Sequence, residues 1–247
     1  MRMDRRAGLL YSPAPEDYFI TFSSAASFTL GFGEQQGFSS PPTFYYSTDK
    51  ITWNQVDFTD INASNGVLYL YGVGNQRASL LDTKTFNIKN TSTAVRCDGN
   101  IEFLLDKDTV LAGQHPEMDS FCYYYLFRGN SQLSSCPKLP ATQLTESCYE
   151  GMFYGCSLLT SIPELPATIL PNYCYKNMFN YCASINIIPD PDPYSPPPVG
   201  YNRYKFPLTG TITSIGTDST YQMFNDFDYS SVLPMTYYTN ATIVLAN

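Results

Sequence analysis

From residue 121 to 190 the apolar positions of the chain return every 26 residues. Leu139-Pro140-Ala141-Thr142, Leu144, Cys148-Tyr149, Met152-Phe153, Cys156 and Ile162-Pro163 reappear as Leu165-Pro166-Ala167-Thr168, Leu170, Cys174-Tyr175, Met178-Phe179, Cys182 and Ile188-Pro189. The same offset leads back to Cys122-Tyr123, Phe127, Gly129, Leu133 and Pro137. Within a unit Cys148, Tyr149, Met152, Phe153 and Cys156 fall at i, i+1, i+4, i+5 and i+8, a spacing that predicts one buried face of a short helix. Leu159, Ile162 and Leu165 follow in a stretch too interrupted for another helix, so a strand and a turn at Leu165-Pro166 complete the unit. One such unit cannot cover its own apolar face. Stacking units at the strand spacing of about 4.8 Å can, and it implies a short solenoid of roughly two and a half coils.

Stacking places identical residues in columns. Cys122, Cys148 and Cys174 form one and Cys156 and Cys182 a second, with Phe127, Met152, Phe153, Met178 and Phe179 completing the repeat core. Small, slightly apolar thiols suit such gaps. Disulfides between neighbouring coils are geometrically conceivable, but an odd total of seven cysteines, with Cys97 and Cys136 off the columns, favours free thiols. The eight-residue spacing lacks the paired ligands of zinc sites, so no metal and no cofactor is expected.

Residues 18–110 read as short strands separated by turns: Tyr18–Phe22, Ser27–Phe32, Thr43–Tyr46, Thr52–Phe58, Val67–Tyr71, Thr85–Ile88 and Ile101–Leu105. Ser47-Thr48-Asp49-Lys50 suits a hairpin turn with Trp53 packed under it, and Asn65-Gly66 and Asp98-Gly99 are turn dipeptides. The spacing suggests a β-sandwich. Asp190 to Pro198 is too proline-rich for helix or central strand, and Met223-Phe224 echoes Met178-Phe179 in a degraded fourth coil. The expected class is therefore β-rich α+β. A sandwich over 18–110 precedes a solenoid over 111–190, and a Pro-rich loop with a C-terminal β cap ending in Ala241–Leu245 fills 191–247. Residues 1–17, carrying Arg2, Arg5 and Arg6, form an extended arm read as a docking peptide.

A net charge of −8 argues against a nucleic-acid partner, because phosphate neutralisation needs clustered Lys and Arg. No secretory signal and no stretch long enough to span a bilayer is read from the sequence. The lone His115 in a Gly/Pro context makes a weak partner for a cysteine nucleophile. The acid pairs Asp190/Asp192 and Asp106/Asp108 lie in loop-like sequence, so a depolymerase trails the other readings. What remains is surface. Tyr123, Tyr124, Tyr125, Tyr154, Tyr173, Tyr181, Tyr201 and Tyr204 are read as candidate exposed rings, with Tyr154, Tyr173, Tyr181 and Tyr201 the candidate interaction surface for a partner protein or glycan.

The unit Leu-Pro-Ala-Thr-x-Leu-x-x-x-Cys-Tyr-x-x-Met-Phe-x-x-Cys resembles the BspA-type leucine-rich repeats of bacterial surface proteins. It resembles still more the repeats of virion and tail-fibre proteins from phages of gut Bacteroidetes. Tyr46-Ser47-Thr48-Asp49 with Trp53, and Gly99-Asn100-Ile101 with Leu104-Leu105, are similar to segments that precede those repeats. The resemblance implies a leucine-rich-repeat-like scaffold without catalytic residues. It implies a phage structural protein of fibre, tail or head surface, located in the virion, with other virion proteins or further copies of itself as partners and a host-surface glycan as a further one. The alternative is an adhesion module at the bacterial cell surface.

Overall fold

The computed structural model describes residues 18–33, 41–80, 85–189, 196–207, 211–224 and 235–245. The expected arm with Arg2, Arg5 and Arg6, and Asp190 and Asp192, lie outside the described residues. The chain is β-rich with very little helix. In the N-terminal half it forms β1 (Ile20–Ser24), β2 (Phe28–Phe32), β3 (Phe44–Ser47), β4 (Asn54–Gln55), β5 (Ile61–Ala63), β6 (Val67–Gly72), β7 (Phe86–Lys89) and β8 (Val95–Asp98). These strands make two open antiparallel sheets, ordered β4-β3-β6-β1-β8 and β5-β2-β7. Alternation decides which side is buried: along β6, Leu68 and Leu70 face the core while Tyr69 and Tyr71 face outward. The inner faces meet through aromatic rings, with Phe86 of β7 at 5.8 Å from Phe22 and 6.0 Å from Phe44.

The segment Ile101–Leu105, expected as a strand, is instead a 3₁₀ turn over Ile101–Leu104. All four of its residues are buried, so it has no solvent face to alternate toward, and the Asn100 side chain caps it by accepting from the Glu102 amide. A five-residue helix, α1 (Lys107–Leu111), follows with Asp106 as its N-cap.

The repeat units are not helical either. Around Cys122–Asn130 the amides of Tyr124, Leu126, Arg128 and Asn130 each donate three residues back within the unit, to Phe121, Tyr123, Tyr125 and Phe127. The alternate amides of Tyr123, Tyr125, Phe127 and Gly129 donate to the next unit's Cys148, Glu150, Met152 and Tyr154 carbonyls. The next pair of units repeats this arrangement from Tyr149 to Cys174, Gly151 to Lys176 and Phe153 to Met178. Overlapping turns therefore use half the amides locally and offer the other half to a neighbour, which leaves no backbone donor stranded. A helix would have bonded its amides four residues back along its own backbone and offered a neighbour only those of its first turn.

Every second turn needs a residue with positive φ. These residues recur four apart: Phe121, Tyr125 and Gly129; Ser147, Gly151 and Gly155; Tyr173, Asn177 and Tyr181. Across the stack, rings lie nearly parallel. Tyr123, Tyr149 and Tyr175 form one column at 5.3 and 5.8 Å, and Phe127, Phe153, Phe179 and Phe224 another at 5.4, 5.3 and 5.3 Å.

The stack continues at both ends. Phe86 donates to the Leu126 carbonyl from the N-terminal side, and the Tyr175 and Phe179 amides donate to Ser219 and Met223 on the other. Bonded partners are 25 residues apart from Tyr123 to Cys148 but 44 apart from Tyr175 to Ser219, so 19 residues are inserted before the fourth layer. Part of that insert, the strand Asn202–Phe206, pairs with the strand Met235–Thr239, which also pairs with the strand Ile187–Pro189. Phe206 closes the tyrosine column, its ring edge-on to Tyr175 at 5.5 Å. The extended part of each unit runs parallel to its neighbour: Val95 bridges Leu133, Thr160 donates to Ser134, and the strand Thr242–Val244 lies along the strand Ser161–Pro163. One apolar core runs without a break from Ile20 to Ala241.

Candidate functional site

The ten side chains that define the repeat core, Cys122, Phe127, Cys148, Met152, Phe153, Cys156, Cys174, Met178, Phe179 and Cys182, are all buried. All seven cysteines are free thiols. Burial pushes the thiols of Cys136, Cys148 and Cys182 up to about 12, and those of Cys97, Cys122 and Cys174 upward as well. Cys156 and Cys182 donate to the carbonyls of Phe127 and Phe153 in the preceding unit, at 3.2 and 3.1 Å. These thiols act as packing units that also tie one layer to the next.

Of the rings expected at the surface, Tyr123 and Tyr204 are buried, Tyr123 in the tyrosine column and Tyr204 in the core with its hydroxyl donating to the Pro163 carbonyl. Tyr154 and Tyr181 come together, with ring centroids 5.2 Å apart, and Tyr181 is 60% exposed. Tyr173 lies elsewhere on the stack, beneath the Lys176 ammonium at 4.8 Å, and Tyr201 follows the Pro-rich segment, half-buried.

The Tyr154/Tyr181 pair is part of a longer strip. Phe121 contacts Tyr124 at 5.5 Å and Tyr124 contacts Tyr125 at 4.2 Å. The Arg128 guanidinium then lies over both Tyr125 (4.6 Å) and Tyr154 (5.4 Å), carrying the strip from the first unit to the second. Tyr125 reaches across because its neighbour in the next layer, Gly151, has no side chain: a Cβ there would run into the Tyr125 ring. Arg128 was not singled out from the sequence. The signal was present, since Tyr125, Arg128 and Tyr181 stand where the other units carry Gly151, Tyr154 and Gly155. The surface cluster is built where the units depart from one another.

A second feature is a cleft of about 420 Å³ lined among others by Gln76, Glu102, His115, Glu117, Asp119 and Thr145. Glu102 is 2% exposed at its base, and its carboxylate oxygens lie 2.7 and 3.0 Å from Nδ1 of His115, whose other ring edge faces solvent. Burial raises the Glu102 carboxyl, and the hydrogen bond and charge of His115 offset part of that rise. The pair is well formed for holding a histidine in one orientation. No cysteine is hydrogen-bonded to His115 among the described residues, and no group of three or more His, Cys, Asp or Glu side chains there is arranged to hold a metal ion. No described helix is long and apolar enough to cross a membrane.

Comparison with known proteins returned no matching family model, no matching curated protein and no matching solved structure.

Proposed function

We propose that this chain is a non-enzymatic structural protein of a phage virion. In this reading an N-terminal β-sandwich caps a short leucine-rich-repeat-like solenoid, and a C-terminal β cap closes the other end. The module docks onto neighbouring virion subunits through the strip Tyr124, Tyr125, Arg128, Tyr154 and Tyr181. The observation that carries this reading is a division of labour between positions. Side chains shared by the units are occupied by packing, whereas those that differ between units gather on the surface into one aromatic and cationic strip. Tyrosine and arginine are the residue types that dominate protein interfaces, since they bury large areas with few rotamers lost. The assignment to a virion rests on the resemblance of the repeat motif to phage repeats.

The test is mass spectrometry of purified particles from cells producing the protein, with wild-type chain and a Tyr154→Ala/Tyr181→Ala double variant. The wild-type chain is expected in the particles, and the variant, with its melting temperature retained, to fall by at least about tenfold. Absence of the wild-type chain from particles overturns the virion reading. The adhesion module at a bacterial surface uses the same scaffold and strip, and labelling at the cell surface without particle incorporation selects it.

A further inference from the structure

The outer face of the five-stranded sheet carries a second aromatic surface, on the opposite side of that sheet from the core. Tyr45 of β3 and Tyr71 of β6 are direct cross-strand partners, their rings stacked at 5.3 Å and 17°. Trp53 adjoins Tyr71 at 4.8 Å, and Phe19 joins Trp53 to Tyr69 at 5.5 and 5.0 Å. Five rings are thus linked, and Tyr45, Trp53, Tyr69 and Tyr71 remain partly open to solvent. In register beside them stand Gln55, paired with Tyr45, and Thr21, paired with Tyr69.

Two ammonium groups sit on these rings. Lys50 Nζ lies 4.8 Å from the Tyr69 centroid and 5.3 Å from that of Phe19, and Lys107 Nζ lies 4.5 Å from that of Tyr71. Neither lysine forms an ion pair among the described residues. The neighbouring acids are otherwise engaged or set apart. Asp49 accepts from the Ser47 hydroxyl and the Ile51 and Thr52 amides, Asp98 is paired with Arg96, and Asp108, near enough to influence Tyr71, makes no ion pair with Lys107. Lys50 is held where it is by the turn, in which it adopts φ 63°.

We infer that this face binds a glycan containing hexuronic acid, with pyranose rings lying on Tyr45 and Trp53, Tyr71 holding both rings in place from between them, and sugar carboxylates meeting Lys50 and Lys107. A pyranose offers a C–H face to an aromatic ring and hydroxyls at its rim, which suits flat rings bordered by an amide and a hydroxyl. The unpaired ammoniums supply the complementary charge. Nucleic-acid bases also stack on such rings, but two lysines on a chain of net charge −8 do not neutralise a phosphate backbone. This surface is independent of the strip on the repeat units, and its glycan need not be encountered in any particular location.

Trp53 is the only tryptophan, so its fluorescence reports this surface directly. The intact chain is titrated with trigalacturonate, with its methyl ester and with polyglutamate. Trigalacturonate should shift Trp53 emission saturably, the methyl ester should bind at least about fivefold more weakly, and polyglutamate should give no shift. Lys50→Gln and Lys107→Gln should each weaken binding by about fivefold at unchanged melting temperature, and Tyr45→Ala by about tenfold. No shift with trigalacturonate at millimolar concentration overturns the inference. So does an equal response to the ester, which removes the role of charge, or to polyglutamate, which removes the role of the sugar. The free chain is used throughout, so the result stands whether or not the protein is found in particles.

Discussion

Gly151 and Gly155 show how a single residue is chosen twice over in this fold. Both hold positive φ, 59° and 74°, where an L side chain is strained. At Gly155 the strain is the whole matter, since an added Cβ would find only the Cα of Gly129 at 3.6 Å and the amide nitrogen at 3.8 Å. At Gly151 a Cβ would also displace the Tyr125 ring, and with it the contact to Arg128. Gly155→Ala should therefore cost about 1–2 kcal/mol and Gly151→Ala about 2–4 kcal/mol, the difference being overpacking. Denaturant melts of the two variants check the ordering, and a larger loss at Gly155 would contradict it. The same two residues mark what could be read beforehand. Glycines four apart inside an apolar run weaken a helix, yet the spacing of Cys148, Tyr149, Met152 and Phe153 fits a turn ribbon of period four as well as a helix of period 3.6. Eight residues are too few for the two periods to drift apart.

Among elements, the junction between β7 and the first repeat unit depends on one side chain. Asn130 donates to the carbonyls of Phe86 (2.7 Å) and Phe127 (2.9 Å) and accepts from the Ile88 amide (2.7 Å). Cys156 and Cys182 occupy the equivalent place in later units and each donates to a carbonyl of the preceding layer. Asn130 is thus a cysteine position adapted to a strand that brings an additional amide needing an acceptor. Asn130→Ala takes this partner from the Ile88 amide and the Phe86 carbonyl in the core, while the Phe127 carbonyl keeps the Asn130 amide and the Cys156 thiol; it should cost about 2–4 kcal/mol, whereas Asn130→Cys restores one donor and should cost about half as much. Equal losses for the two variants would remove the equivalence. The repeat register and most strands were legible because burial imposes a strict period on their side chains. Hairpin residues Ser47 and Asp49 also behave as their types suggest, with Asp49 binding the turn's amides and held near 2 by those bonds. Ile101–Leu104 was not legible as a turn, because a fully buried segment of four carries no periodicity. The cleft at Glu102 and His115 was equally hidden, since those residues are 13 apart and joined only by the fold.

At the scale of the whole molecule, the unbroken core from Ile20 to Ala241 makes the sheets and the stacked units a single cooperative body, and its composition sets where that body fails. The core holds thiols and phenols that titrate only when exposed. Cys97, Cys122, Cys136, Cys148, Cys174 and Cys182 ordinarily ionise near 9, and Tyr123, Tyr149 and Tyr175 near 10; burial raises all nine. Below pH 9 both folded and unfolded chains keep these protons, and the groups have no effect on the pH dependence. Above pH 9 the unfolded chain releases protons that the folded chain retains, so stability falls as pH rises, by about 1.4 kcal/mol per pH unit for each fully ionised thiol. For Cys136, Cys148 and Cys182 the loss continues to about 12, where the folded thiols would ionise too. Six thiols acting together reach several kcal/mol per pH unit, which matches the whole stability of an ordinary domain within one or two units. Melting followed by circular dichroism should show one transition, level from pH 7 to 8.5 and dropping steeply by pH 10.5. Iodoacetamide should label the thiols only through that transition. A melting temperature at pH 10.5 equal to that at pH 8, or thiols labelled well before unfolding, would mean that the cysteine columns are not sealed in the core.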